Sequence, residues 1–121
     1  MEKTTFGSAD PISVPELVSQ LVSQLGPTIV AAIAGARDRQ LPGQWSIDNG
    51  TSPEPASLRR LHAAHQIWCA VAAVGGRDIA RAWFLGSNPR LNEVPPYLAI
   101  RDGEFDEVRS AAGAFIEAHG D

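Results

Sequence analysis

SLRRLHAAHQIWCAVAAVGG, residues 57–76, is the stretch on which the fold turns. Leu58, Leu61, Trp68 and Val71 recur at helical spacing, and Ile67 and Val74 lie offset from them. An apolar arc wider than one stripe belongs to a helix buried between other elements, not to one lying on a surface. The reading predicts a central helix over residues 58–74. Ser57 is the expected cap, and Gly75-Gly76 the stop.

Upstream, Ser13-Val14-Pro15-Glu16 is an S-x-x-E capping box with proline in the first turn, where its missing N–H costs little. Val14, Leu17, Val18, Leu21, Val22 and Leu25 continue as one apolar stripe, and Gly26-Pro27 ends it. A short helix is expected from Pro27 or Thr28 to about Ala34, closed by Gly35. The segment ARDRQLPGQW, residues 36–45, is ambiguous. Leu41 and Trp45 are spaced as one helical face, but Pro42 disfavours a helical Leu41, so a helix here is short, distorted or late. Residues 46–55 read as a loop.

Downstream, a short helix is expected from Arg77 or Asp78 to Leu85, ended by Gly86, and a brief turn follows Pro95-Pro96 through Ile100. The last helix sets Phe105, Val108, Ala112, Phe115 and Ile116 on one side. No strand competes, because the β-branched residues fall on helical spacing. The expected class is all-α: a compact bundle of short helices around one long central helix.

At 121 residues and 44% hydrophobic content the chain fits one ordinary folded domain. No apolar run approaches the ~20 residues of a membrane span, and MEKTTFGSADP lacks the apolar core of a secretory signal. The lone Cys69, set in WCAVAAV, reads as a small buried hydrophobe in a reducing compartment, so a cytoplasmic location is expected. Net charge is −4. Residues 1–50 carry three basic and five acidic groups, residues 51–100 five and three, and residues 101–121 two and six. An acidic end suits a basic partner surface, whereas nucleic acid wants a concentrated basic face. Nine of the ten basic residues are arginine, whose planar fork suits protein interfaces as well as phosphates.

No catalytic or metal-binding constellation is expected. His62 and His65 lie i, i+3 with no cysteine pair, so structural histidines beside Trp68 are the expectation rather than zinc ligands. A Cys69 nucleophile is disfavoured because an apolar helix raises a thiol's pKa. Neither G-x-S-x-G nor a phosphate-binding glycine loop occurs. A non-enzymatic chain with no cofactor is expected.

The most particular run is ARAWFLGSNPRLNEVPPYLAIRDGEFDEV, residues 80–108. Trp83, NPRL at 88–91 and RDGEFDEV at 101–108 resemble the toxin-binding domain of the Xre/MbcA/ParS antitoxin family. LGPTIVAAIAGARDRQLPGQWSIDNG, residues 25–50, resembles the family's helix-turn-helix. The resemblance spans about residues 14–119. The first dozen residues read as a flexible arm (1–12), and the resemblance divides the rest into a helix-turn-helix-like region (13–56) and a toxin-binding region (57–121).

What the resemblance implies is an antitoxin of a type II toxin–antitoxin system. Its partner is a RES-domain toxin that degrades NAD, and its C-terminal part obstructs the toxin's NAD pocket. Toxin contact falls to Trp83, Asn88, Pro89, Arg90, Arg101, Asp102, Glu104, Phe105 and Phe115. Operator DNA is a second, weak partner, and a homodimer within a larger complex is implied.

Several residues keep two readings. Asp102, Glu104, Asp106 and Glu107 suit a helix N-terminus, where the macrodipole favours each carboxylate by ~0.3–1 kcal/mol; they also suit steering toward a cationic toxin pocket. Arg37, Arg39, Gln40 and Gln44 are the DNA-contact candidates. Against them stand Asp38 between the arginines, Pro42, and the net acidity of residues 1–50. A degenerate helix-turn-helix kept for folding and dimerisation is the alternative. Trp45, Trp68 and Trp83 read as core or interface anchors. A small transcriptional regulator without a toxin, and a helical adaptor, remain as competing functions.

Overall fold

The computed structural model describes residues 12–47 and 50–119. The expected arm lies outside these residues except for Ile12, and so do Asp48 and Asn49 of the expected loop. Seven α-helices and one 3₁₀ turn make up the fold, with no strand among the described residues. None of these helices is long and apolar enough to cross a membrane.

Helix α1, Val14–Leu25, begins as its capping residue requires: the Ser13 hydroxyl accepts the Glu16 N–H at 3.2 Å. Leu17, Val18, Leu21 and Leu25 are buried. Gly26, at φ +89°, turns the chain directly into α2, Pro27–Ala34. Helix α2 ends in a left-handed Gly35, with the Gly35 N–H on Ala32 O (3.1 Å) and the Ala36 N–H on Ala31 O (2.9 Å). Helix α3, Leu41–Trp45, is short and late. Pro42 is accommodated because it falls in the first turn, where no intrahelical donor is needed. Both Pro42 and Trp45 are buried.

Helix α4, Pro55–Gly75, corrects the expected start. Pro55, with its pre-set φ, opens the helix, and Glu54 precedes it without a side-chain cap. Ser57 therefore lies inside the helix and does a different job. Its hydroxyl donates to Ala34 O at 2.7 Å, and Arg60 Nη1 donates to the same carbonyl at 3.2 Å. Thus α4 satisfies the free C-terminal end of α2.

Helix α4 packs on α1 and α2 on one side of the chain's midpoint and on α5 (Arg77–Leu85), α6 (Pro96–Arg101) and α7 (Phe105–His119) on the other. One continuous core results. Leu17, Leu21, Val30 and Ile33 from the first half join Leu61, Ile67, Phe84, Ile100 and Val108 from the second. The core therefore crosses the boundary at residues 56 and 57. On α7, Val108 and Ala112 are fully buried, while Phe105, Phe115 and Ile116 of the expected face are half-buried.

Cys69 departs from its expected role. It is exposed, on the side of α4 that also carries the exposed Ala73 and the half-buried His62 and Gln66. The apolar neighbours that suggested burial, Trp68, Ala70 and Val71, point the other way and are buried.

Ser57→Ala removes the hydroxyl from the Ala34 carbonyl and is expected to cost about 1 kcal/mol. Urea denaturation is the check, with the midpoint lowered and the slope unchanged.

Candidate functional site

The residues after α5 form a tightly specified turn. Gly86 leaves the helix in an extended conformation. Asn88 then caps a 3₁₀ turn, Pro89–Leu91, its Oδ1 accepting the Arg90 N–H at 2.9 Å. Leu91 is buried and anchors the turn to the core. Asn92 and Glu93 are both left-handed, at φ +59° and +69°. The Glu93 N–H returns to Asn88 O at 2.8 Å, closing the loop. Asparagine tolerates that conformation; glutamate does so less readily.

Helix α6 follows at Pro96 and ends in a second tight turn. Gly103, at φ +83°, donates to Ile100 O at 2.9 Å, and the Glu104 N–H donates to Ala99 O at 3.0 Å. This turn separates the acidic residues into different roles. Asp102 closes α6 and pairs with Arg101 at 3.3 Å, while Glu104 precedes α7. Only Asp106 and Glu107 lie in the first turn of α7. The helix-start reading therefore holds for Glu104, whose carbonyl accepts the Val108 N–H at 3.1 Å at the head of α7, and for Asp106 and Glu107, but not for Asp102.

Arg109 Nη1 meets Asp106 Oδ1 at 3.4 Å, and its guanidinium carbon lies 6.0 Å from the Phe105 ring centroid. The Arg101–Asp102 side chains are about half exposed, at 47% and 50%. Exposed pairs of this kind contribute ~0–1 kcal/mol each. They leave the charges available to an incoming surface.

Across from the start of α7, Arg90 lines a shallow concavity with Asp106, Glu107, Ser110 and Ala111. This gathers Asn88, Pro89 and Arg90 with Phe105 around one end of α7, beside the Arg101–Glu104 turn. The other two expected contacts lie toward its far end. Trp83 and Phe115 pack at 6.3 Å between ring centroids, and both are half-buried. Sequence reasoning missed Ile79, which is 47% exposed near this pair. Its place on a helix with Ala80 and Phe84 buried on another face was the available signal.

The DNA-contact candidates gather elsewhere. Arg37, Arg39, Gln40 and Gln44 are all exposed, but only Gln44 lies on α3. Asp38 has a local task, its Oδ1 accepting the Gln40 N–H at 2.8 Å to shape the turn. Arg39 and Gln40 border a shallow concavity with Pro27, Thr28 and Gly43. The cationic groups therefore sit in a loop, ahead of a helix of barely more than one turn.

His65 is half-buried between α4 and α1, its Nε2 2.8 Å from Gln20 Oε1. Burial, followed by the neighbouring His62, holds its pKa below the ordinary histidine value. Although Cys69 is exposed, partial shielding of its sulfur from water raises the thiol's pKa; Sγ lies 3.8 Å from the same Nε2. Among the described residues no three His, Cys, Asp or Glu side chains come together as a metal site.

Because His65 binds its proton more weakly when folded, its contribution to stability is complete above the unfolded value of 6.5 and falls as pH drops below it. Stability should therefore decline as the pH falls below 6.5, and His65→Gln should flatten that decline in thermal melts. Glu93→Gly should raise stability by about 0.5–1 kcal/mol by relieving the left-handed residue, and Glu93→Val should lower it; chemical denaturation distinguishes them. Compared with protein-family models, with curated proteins and with solved structures, the chain gave no match.

Proposed function

We propose that this chain is the antitoxin of a type II toxin–antitoxin pair, binding a RES-type NAD-degrading toxin and covering its active site. The chain contributes no bond-making step; it acts by tight occupancy of the toxin's pocket. The sequence resemblance at Trp83, residues 88–91 and residues 101–108 supplies the partner class.

The structural observation that supports the reading is the concavity in which Arg90 faces Asp106 and Glu107 beside two rigid turns. A pocket that accepts the phosphates of a dinucleotide is cationic, and exposed carboxylates on a rigid edge complement it. Turns fixed by Asn88, Pro89 and Gly103 lose little freedom on binding, which favours affinity. Operator DNA is a weaker second partner through Arg37 and Arg39, which are exposed but few. The regulator alternative would need those loop cations to carry the affinity alone.

Co-expression with a RES-domain toxin should restore growth and cellular NAD in cells that the toxin alone arrests. Arg90→Glu combined with Glu107→Arg should weaken binding by about 2 kcal/mol or more, the scale of an interface hot spot. Arg37→Ala with Arg39→Ala should leave rescue intact. These substitutions are preferred to removing residues 101–121, which would strip Val108 and Ala112 from the core. Absence of wild-type binding and rescue would end the reading. Rescue lost in the Arg37/Arg39 variant but kept in the Arg90/Glu107 variant would move the surface to the other half of the molecule.

A further inference from the structure

We propose that the cleft between the end of α2, helix α3 and the start of α4 binds a small primary amine, with its ammonium at Glu54 and its apolar body against Leu41 and Trp45. The site is separate from the toxin-binding reading and does not depend on it, since none of the residues assigned to toxin or DNA lines this cleft. Its volume is about 290 Å³, at the small end of the range for ligand sites.

The apolar part of the lining comes from Ala36 and from the two ends of α3, Leu41 and Trp45. A helix of five residues does not hold its shape alone. Here Trp45 belongs to the core at 5% exposure and Leu41 packs against that core, so both side chains are held where the cleft needs them. The polar part comes from Thr51, Ser52 and Glu54 on the connection before α4, and from Ser57 on its first turns. Two prolines stiffen that connection. Pro53 is buried, and Pro55 opens α4, keeping Glu54 extended at φ −66°, ψ 159° as a residue before proline prefers. A lining held in this way loses little freedom when a ligand enters.

Hydrogen-bonding capacity identifies the ligand. Ser57 has already given its hydroxyl proton to Ala34 O at 2.7 Å, so only its lone pairs remain to be used. Thr51 and Ser52 add two more hydroxyl oxygens. Of the residues lining the cleft, Glu54 alone carries a charge, and it takes part in neither ion pair found among the described residues. The set is rich in acceptors and anionic. An ammonium group brings three donors and no acceptor, and its bond to a carboxylate is charge-assisted. A ligand carboxylate would be repelled, and a neutral apolar ligand would cover Glu54 without giving it a partner. The neighbouring cations do not reverse this. Arg60 donates to Ala34 O at 3.2 Å and does not line the cleft. Arg37 is exposed outside it, and Arg39 borders the separate concavity beside Pro27.

NMR titration of the full, isotope-labelled chain with 2-phenylethylamine and with isopentylamine tests the site. At least one amine should move the Trp45 indole N–H and the Thr51, Ser52 and Glu54 amides along a single saturable curve, while the Trp68 and Trp83 indoles stay still. Glu54→Gln should raise that Kd by about tenfold or more, the loss of one charge-assisted hydrogen bond, at an unchanged melting temperature. Glu16→Gln, on the concavity beside Ser13, should leave Kd within about twofold. Failure of both amines to shift these resonances overturns the proposal. Equal affinity for 2-phenylethanol, or tighter binding of 3-phenylpropanoate, overturns the assignment of an ammonium. Amine binding that Glu54→Gln leaves unaltered, or that shifts Arg90 and Glu107 instead, removes the ligand from this cleft.

Discussion

The burial of α4 is the constraint on which the other helices depend. Leu61, Ala64, Ile67 and Val71 are completely covered and Trp68 nearly so. Each fully buried large apolar side chain contributes roughly 1.5–3 kcal/mol before conformational entropy is counted. That face is too wide for any one short helix to cover, so α1, α2, α5, α6 and α7 share it. No charged or polar side chain is buried among the described residues. Ala63 and Ala64 of α4 and Ala111 and Ala112 of α7 are buried as well, small side chains that let neighbouring helices approach closely. Helices α2 and α6, each at most eight residues, are too short to be stable alone and owe their existence to this packing.

Much of this arrangement was legible because periodicity and punctuation agreed. The α1 stripe, the Gly26 and Gly35 stops and the Asn88-Pro89 turn each act locally, so neighbouring residues suffice to read them. Two misreadings have a common cause. Ser57 has the residue type and place of a cap for its own helix, but its hydroxyl serves Ala34, distant in sequence. Cys69 has apolar neighbours in sequence, but those neighbours face the core while Cys69 itself is exposed. In both cases the deciding contact, or its absence, lies between helices that periodicity cannot pair.

The candidate site divides along the same line. The chain dictates the shape of the Asn88–Glu93 and Asp102–Glu104 turns, because left-handed residues and side-chain caps are local requirements. The meeting of Arg90 with Asp106 and Glu107 depends on how the 3₁₀ turn lies against α7. So does the grouping of Ile79 with Phe115 over Gly75. Arg37 and Arg39, expected on a recognition segment, belong to the connection before α3, since Pro42 delays the helix until Leu41.

The three tryptophans sit at three different places relative to these surfaces. Trp45 and Trp68 are sealed within the core, at 5% and 3% exposure, and Trp83 alone stands half-open against Phe115. The molecule thereby carries a built-in optical probe. Global unfolding shifts the emission of all three indoles toward the red, whereas an event confined to the α5–α7 surface perturbs one. A change in spectrum that spares two-thirds of the fluorophores would separate docking from loss of structure without any added label.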